Sequence, residues 1–208
     1  SIRTNINSFT FFLSLTYIET LKNVLTFQIV AKDVTDSSIE MVVTDLKYSS
    51  RDKYKAKVAV YDNGKKLATS QYTIGAVTDL VYEKDETGAD TKCGTAKAVI
   101  SGKKNYTGTK EVTVVIKEAL LSSVKAKVDG TFFYENGKEI RPTELTVTIG
   151  SGKKKQTLTQ GVDYIIVEDG YKNNVKAGRA TLTIQGIGKY GGTKEVKFTI
   201  LPRWLKLN

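Results

Sequence analysis

Two glycine-rich stretches have the residue types that loops use to bind phosphate. Residues 186–191 read Gly-Ile-Gly-Lys-Tyr-Gly, the G-x-G-x-x-G pattern, and residues 150–153 read Gly-Ser-Gly-Lys. Such loops bind phosphate because a helix that begins directly after them presents free N–H groups to the ligand. Alternating apolar residues follow the first stretch, which predicts a strand, and no helix or complete Walker spacing follows the second. We therefore interpret both stretches as turns.

Two tyrosines near lysines are the residues best suited to contact a sugar. Tyr106 and Tyr190 each precede a glycine, and Lys104 and Lys189 lie close to them in sequence. Aromatic rings offer flat contact surfaces, and ammonium groups attract anionic glycans. The alternative is structural: each ring caps the edge of a core, with its hydroxyl bonded to backbone. Both interpretations stay open, and these four residues form the candidate glycan-contact site.

The side chains that most enzymes use are scarce in this chain. It has no histidine and one cysteine, Cys93, which removes the commonest general base, a Cys/His zinc site and an intrachain disulfide. Residues 83–90 carry four carboxylates, but their spacing matches no calcium-binding loop, and a solvated connection is the simpler interpretation. We predict no catalytic residue, no cofactor and no metal site. We expect Cys93 to be a small buried residue.

The net charge of +10 favours anionic partners such as wall polymers or acidic glycans. Most lysines are spread along predicted strands, and clusters lie at residues 103–104 and 153–155, both in predicted turns. Solvated strand faces explain this distribution, and we predict no nucleic-acid partner. No apolar stretch reaches the roughly 18 residues needed to cross a bilayer, so we also predict no membrane span.

The candidate residues lie on an element that occurs twice. Residues 94–116 and 178–200 align without a gap at an offset of 84 residues and agree at 11 of 23 positions. In both copies, apolar and polar residues alternate on either side of a glycine-rich connection, which is the pattern of a β-hairpin. A repeat at fixed spacing indicates that the chain is an array of similar units.

Turn signals at short intervals extend this strand pattern along the chain. Asp62-Asn63-Gly64, Asn136-Gly137 and Asp169-Gly170 are typical of tight turns, and no helical run separates them. The sequence therefore predicts an all-β fold of two tandem Ig-like antiparallel β-sandwiches. We place the first module at residues 33–118 and the second at 123–201, followed by a tail at 202–208. The connection between them is too short to be a flexible tether.

Residues 1–32 are the least informative part of the sequence. Residues 26–30 resemble residues 197–201, which close the second module, so we interpret the segment as a remnant of a preceding module. Phe11, Leu15, Ile18, Leu21 and Leu25 also fit a helical stripe, and both alternatives stay open.

The second module carries a distinctive order of short motifs, at residues 134–142, 158–164, 171–174, 177–184 and 186–192. This order resembles the Ig-like repeats of large secreted and wall-attached proteins of Gram-positive gut bacteria. The first module departs from the pattern, because Tyr72 replaces Val162-Asp163-Tyr164 and the acidic stretch replaces residues 171–174.

The resemblance implies an extracellular location, at the cell surface or in the wall, and a place in a longer multidomain chain. It also implies a non-catalytic duty as a spacer, stalk or adhesin part. The alternative is an accessory module that binds carbohydrate or a cell-wall polymer, attached to a secreted enzyme. The sequence leaves this alternative open.

Overall fold

The computed structural model describes residues 9–10 and 26–205. These residues form strands and short 3-10 turns, and the predicted all-β class is confirmed. Within the described part of the chain, no helix is both long and apolar enough to cross a membrane. Strands β1 (Phe9–Thr10) and β2 (Thr26–Phe27) pair antiparallel. Most of the predicted remnant at residues 1–32 lies outside the described residues.

The first module contains nine strands. They are β3 (Lys32–Asp33), β4 (Ile39–Thr44), β5 (Leu46–Lys47), β6 (Lys57–Asp62), β7 (Lys65–Lys66), β8 (Tyr72–Lys84), β9 (Asp90–Gly102), β10 (Tyr106–Thr107) and β11 (Thr109–Lys117), with a 3-10 turn at Thr69–Gln71. One sheet has the order β4-β6-β7 and the other β5-β11-β9-β8, while β3 pairs with β10. The module is a sandwich of these two sheets.

The second module also contains nine strands. They are β12 (Ala119–Leu120), β13 (Lys125–Val128), β14 (Phe132–Phe133), β15 (Leu145–Ile149), β16 (Gln156–Thr157), β17 (Tyr164–Ile166), β18 (Gly178–Gly186), β19 (Tyr190–Gly191) and β20 (Thr193–Leu201). Further 3-10 turns lie at Leu121–Ser123, Gly152–Lys154, Glu168–Gly170 and Arg203–Leu205. The sheets have the orders β13-β15-β16 and β14-β20-β18-β17, and β12 pairs with β19. Strand for strand, the pairing repeats that of the first module, so the repeat extends over the whole module.

Alternation along the repeated hairpin builds the core of each module. Ala98 and Ile100 on β9, like Leu182 and Ile184 on β18, are 0% exposed. Successive side chains of a strand point to opposite faces, so the polar residues between them face water. Two separate hydrophobic clusters result, one inside each sandwich.

The two sandwiches also contain short parallel pairs, which the sequence analysis did not identify. β5 pairs parallel with β11, and β14 pairs parallel with β20. The short pairs β3 with β10 and β12 with β19 are parallel as well. In each of these pairs the strand that comes first in the chain is two residues long. Such a strand is too short to show an alternating pattern in the sequence.

The boundary between the modules lies closer to the first module than we expected from the sequence. We expected residues 118–122 to be a connection, but β12 pairs with β19 of the second module. Ala119 and Leu121 are 8% and 0% exposed and lie in the core of the second module. Glu118 alone therefore separates the last strand of one module from the first strand of the next.

The acidic stretch is exposed, as expected of a solvated connection, and it forms a tight turn between two long strands. β8 continues to Lys84 and β9 begins at Asp90. The Asp85 carboxylate accepts hydrogen bonds from the backbone N–H groups of Thr87 at 2.8 Å and Ala89 at 3.0 Å. Register shifts along β8 interrupt its alternation, which hid the length of this strand in the sequence.

Candidate functional site

Tyr106 takes part in a polar network inside the first module. Its hydroxyl donates to Asp62 Oδ2 at 2.9 Å, and Lys32 Nζ donates to Asp62 Oδ1 at 2.7 Å. The hydrogen bonds from Lys32 and Tyr106 hold the pKa of Asp62 below its usual value, while burial raises the pKa of Tyr106. The hydroxyl thus bonds to a carboxylate, where the structural alternative had predicted backbone. We call these three residues the Tyr106 network.

Tyr190 lies deeper than its counterpart. It is 4% exposed and packs in the core of the second module, so neither ring face is open to a sugar. Lys189 is exposed and places its Nζ 5.5 Å from the centre of the Tyr190 ring. Burial raises the pKa of Tyr190, and the Lys189 ammonium opposes that shift. The hydroxyl is therefore a hydrogen-bond donor at neutral pH.

The four residues of the candidate glycan-contact site form two pairs, one in each module. Lys104 is exposed in the turn before Tyr106, with a backbone φ of 59°, the same as that of Gly188 in the second module. The rings of Tyr106 and Tyr190 contribute to their respective cores. The stacking surface predicted from the sequence is thus largely covered in both modules.

The turn of the second hairpin contacts the first module directly. Lys117 Nζ donates to the Gly188 carbonyl at 2.7 Å, and the Gly192 N–H donates to Asp45 Oδ2 at 2.9 Å. The thiol of Cys93 lies 3.9 Å from the Lys189 carbonyl oxygen. We call this contact between the modules the joint, formed by Asp45, Cys93 and Lys117 on one side and residues 188–192 on the other.

A glycine makes the close approach at the joint possible. A Cβ atom at Gly191 would lie 2.6 Å from Asp45 Oδ2 and 2.7 Å from Lys117 Cγ, closer than nonbonded atoms approach. The first module has Thr107 at the corresponding position of its own hairpin. Only a residue without a side chain fits between the modules here.

Cys93 is buried as predicted, at 5% exposure. Sequence reasoning did not identify its position at the joint, and it also missed Asp45 and Lys117. The available signal was the second glycine of Gly191-Gly192, where the first copy has Thr107-Gly108. A glycine gained in one copy of a repeat indicates a close approach that the other copy lacks.

The two glycine-rich stretches are turns, as predicted. Gly186 donates its N–H to the Gly192 carbonyl at 2.9 Å, and β19 and β20 follow directly. After Gly150 the chain makes a three-residue 3-10 turn and enters β16. Neither stretch is followed by the helix that a phosphate loop requires.

Among residues 9–10 and 26–205, no three His, Cys, Asp or Glu side chains converge as metal ligands. No protein-family model matches this chain, and no curated protein is similar to it.

Proposed function

We propose that this chain is a non-catalytic spacer segment of a bacterial surface or secreted protein, in which two sandwich modules are held in one orientation. The main support for the proposal is the joint. It adds contacts at the turn of the second hairpin to the covalent connection through Glu118, so the modules are connected at two places. A stalk needs such a fixed connection to transmit position and force along its length.

The path of the chain supports this proposal. One residue, Glu118, separates β11 from β12, so the backbone has almost no freedom between the modules. The Glu118 side chain is itself held, because it accepts a hydrogen bond from Lys92 Nζ at 3.0 Å. Asp45 and Lys117 then add two further hydrogen bonds at the second hairpin. Contacts on separate segments resist bending in more than one direction.

Distances between spin labels on the two modules test the stiffness. Glu86 and Lys138 are exposed, one in each module, and cysteines at these positions accept the label. A Cys93→Ala background removes the native thiol and copies Ala177, the corresponding residue of the second module. Pulsed electron spin resonance should give one narrow distance distribution for this protein.

The matched comparison uses valine at equivalent positions of the two hairpins. Gly191→Val inserts a side chain into the joint and should broaden the distribution. Thr107→Val changes the corresponding residue of the first module, away from the joint, and should leave it narrow. A broad distribution for the protein with native Gly191 would overturn the spacer proposal, since the modules would then move independently.

A further inference from the structure

Strand register shows which residues of the second module occupy the positions of the Tyr106 network. Asp62 ends β6 and pairs with Lys65, while Ile149 ends β15 and pairs with Gln156. Ile149 therefore takes the position of Asp62. In the same way, Lys32 pairs with Tyr106 and Ala119 pairs with Tyr190.

The second module thus keeps the tyrosine and lacks the counterparts of Lys32 and Asp62, while the Lys189 ammonium lies 5.5 Å from the centre of the Tyr190 ring. A lysine and an aspartate are replaced by an alanine and an isoleucine, and neither can donate to or accept from the Tyr190 hydroxyl. Ala119, Ile149 and Tyr190 line an open groove of about 500 Å³ in this place. Because alanine is much shorter than lysine, the groove lies where the Lys32 side chain lies in the first module.

The rim of this groove is cationic. Between β6 and β7 the first module has a two-residue turn, Asn63-Gly64, whereas residues 150–155 connect β15 to β16. The longer connection contains the 3-10 turn Gly152–Lys154, and it places Lys153 and Lys154 beside the groove, with Gln156 next to them. Glu118 also lines the groove, but its carboxylate accepts a hydrogen bond from Lys92.

We propose that this groove binds an acidic saccharide whose carboxylate lies beside the Tyr190 hydroxyl, in the space that the longer side chain of Lys32 fills in the first module. The Tyr190 hydroxyl donates to that carboxylate, as the Tyr106 hydroxyl does to Asp62, and Lys153 and Lys154 supply the positive charge that Lys32 supplies there. Ala119 and Ile149 offer an apolar floor to the C–H groups of the sugar ring.

The first module is an internal reference for this site. Its own carboxylate is bound by a tyrosine hydroxyl at 2.9 Å and an ammonium group at 2.7 Å, so the geometry of carboxylate binding exists within the same fold. The positive net charge would attract any polyanion to the whole surface. Binding at the groove is different, because it requires a defined site that only the second module has. This proposal does not rest on the spacer function.

Calorimetric titration with oligogalacturonate, a carboxylated saccharide, tests the site in the full chain. Lys153→Gln/Lys154→Gln should weaken binding by about tenfold or more, since hydrogen bonds to charged groups are lost. Lys65→Gln/Lys66→Gln removes the same charge from exposed positions of the first module and should leave the affinity unchanged. Equal weakening by both pairs would overturn the proposal in favour of diffuse electrostatic attraction.

A second variant tests the position of the carboxylate without changing the net charge. Ala119→Lys/Ile149→Asp rebuilds the Tyr106 network in the second module, so the groove would hold its own carboxylate. Binding of oligogalacturonate should then be lost while the circular dichroism spectrum stays that of the parent. Undiminished binding by this folded variant would overturn the proposal. If the variant does not fold, the two lysine-to-glutamine double variants still test whether the groove is the binding site.

Two further ligands separate the chemistry of the saccharide from its charge. Neutral dextran should not bind, because it has no anionic group for Lys153 and Lys154. Dextran sulfate should bind only at low salt and equally well to the rebuilt variant, since its sulfates interact with the whole basic surface. Salt-resistant binding of dextran sulfate that the rebuilt variant abolishes would overturn the preference for a carboxylate.

Discussion

The two modules share every strand and every strand pairing, yet the surroundings of the equivalent tyrosines Tyr106 and Tyr190 differ. Around Tyr106, Asp62 and Lys32 complete a closed polar network. Around Tyr190, Ile149 and Ala119 leave an open groove. The comparison shows that the apolar alternation maintains the fold, whereas the polar positions at the edge of the core are free to change.

A second difference concerns the glycine after each tyrosine. In the first module, the carboxylate beside Gly108 belongs to Asp33 of the same module. In the second module, the carboxylate bonded to Gly192 belongs to Asp45 of the preceding module. A contact made within one copy of the repeat is thus made between copies in the other, and this change builds the joint.

The largest expected effect is on the cores that the modules share. Ile100→Ala and Ile184→Ala remove equivalent buried side chains, and each should lower the free energy of unfolding of its module by about 2–5 kcal/mol. Urea unfolding followed by tyrosine fluorescence should show one early transition in each variant. A loss below about 1 kcal/mol in either variant would mean that the two positions are not equivalent core sites.

The joint should be the next most sensitive feature. Gly191→Val forces a side chain against Asp45 and Lys117 and should cost about 1–3 kcal/mol of overpacking, or open the joint. Opening would expose Cys93, so its alkylation rate should rise in this variant. The control is Thr107→Val, which should change neither the stability nor the alkylation rate. Equal rates for both variants would contradict the close packing at the joint.

Removing the two tyrosine hydroxyls should sharpen the comparison between network and groove. Tyr106→Phe loses a hydrogen bond to Asp62 and should lower the free energy of unfolding by about 1 kcal/mol. Tyr190→Phe removes a hydroxyl that has no carboxylate partner among the described residues and should cost much less. Thermal unfolding of both variants measures the difference. Equal losses would show that Tyr190 has a partner of similar strength.

The smallest effect concerns acid stability. Asp62 has a pKa below its unfolded value, because Lys32 and Tyr106 donate hydrogen bonds to its charged form. Its contribution is therefore fully present above the unfolded pKa of about 3.9 and is lost as the pH falls through the lower folded pKa. In Asp62→Asn the melting temperature should fall less steeply below about pH 4.

The control for this prediction is Asp169→Asn in the second module, which changes an exposed carboxylate outside the Tyr106 network. Melting curves recorded at decreasing pH should give the parent slope for this variant. If Asp62→Asn also keeps the parent slope, Asp62 does not contribute to the acid dependence, and the network has little effect on stability.

The repeat, the strands of the central hairpins and the burial of Cys93 could all be predicted from the sequence. These features depend on residues close together in the chain, because period-2 alternation reports which face of a strand is buried. The glycine-rich turns were predictable for the same reason. The buried and exposed faces of residues 94–116 and 178–200 could be assigned from this alternation without knowing how the sheets pack together.

Which polar groups meet could not be predicted from the sequence and became visible in the folded chain. Tyr106 and Asp62 are 44 positions apart, and Asp45 and Gly192 are 147 apart. Such contacts depend on the order and register of strands in two facing sheets, which alternation does not specify. The groove beside Tyr190 likewise depends on Ala119 and Ile149, which look like ordinary core residues in the sequence. Only the strand register shows that they occupy the positions of Lys32 and Asp62 in the first module.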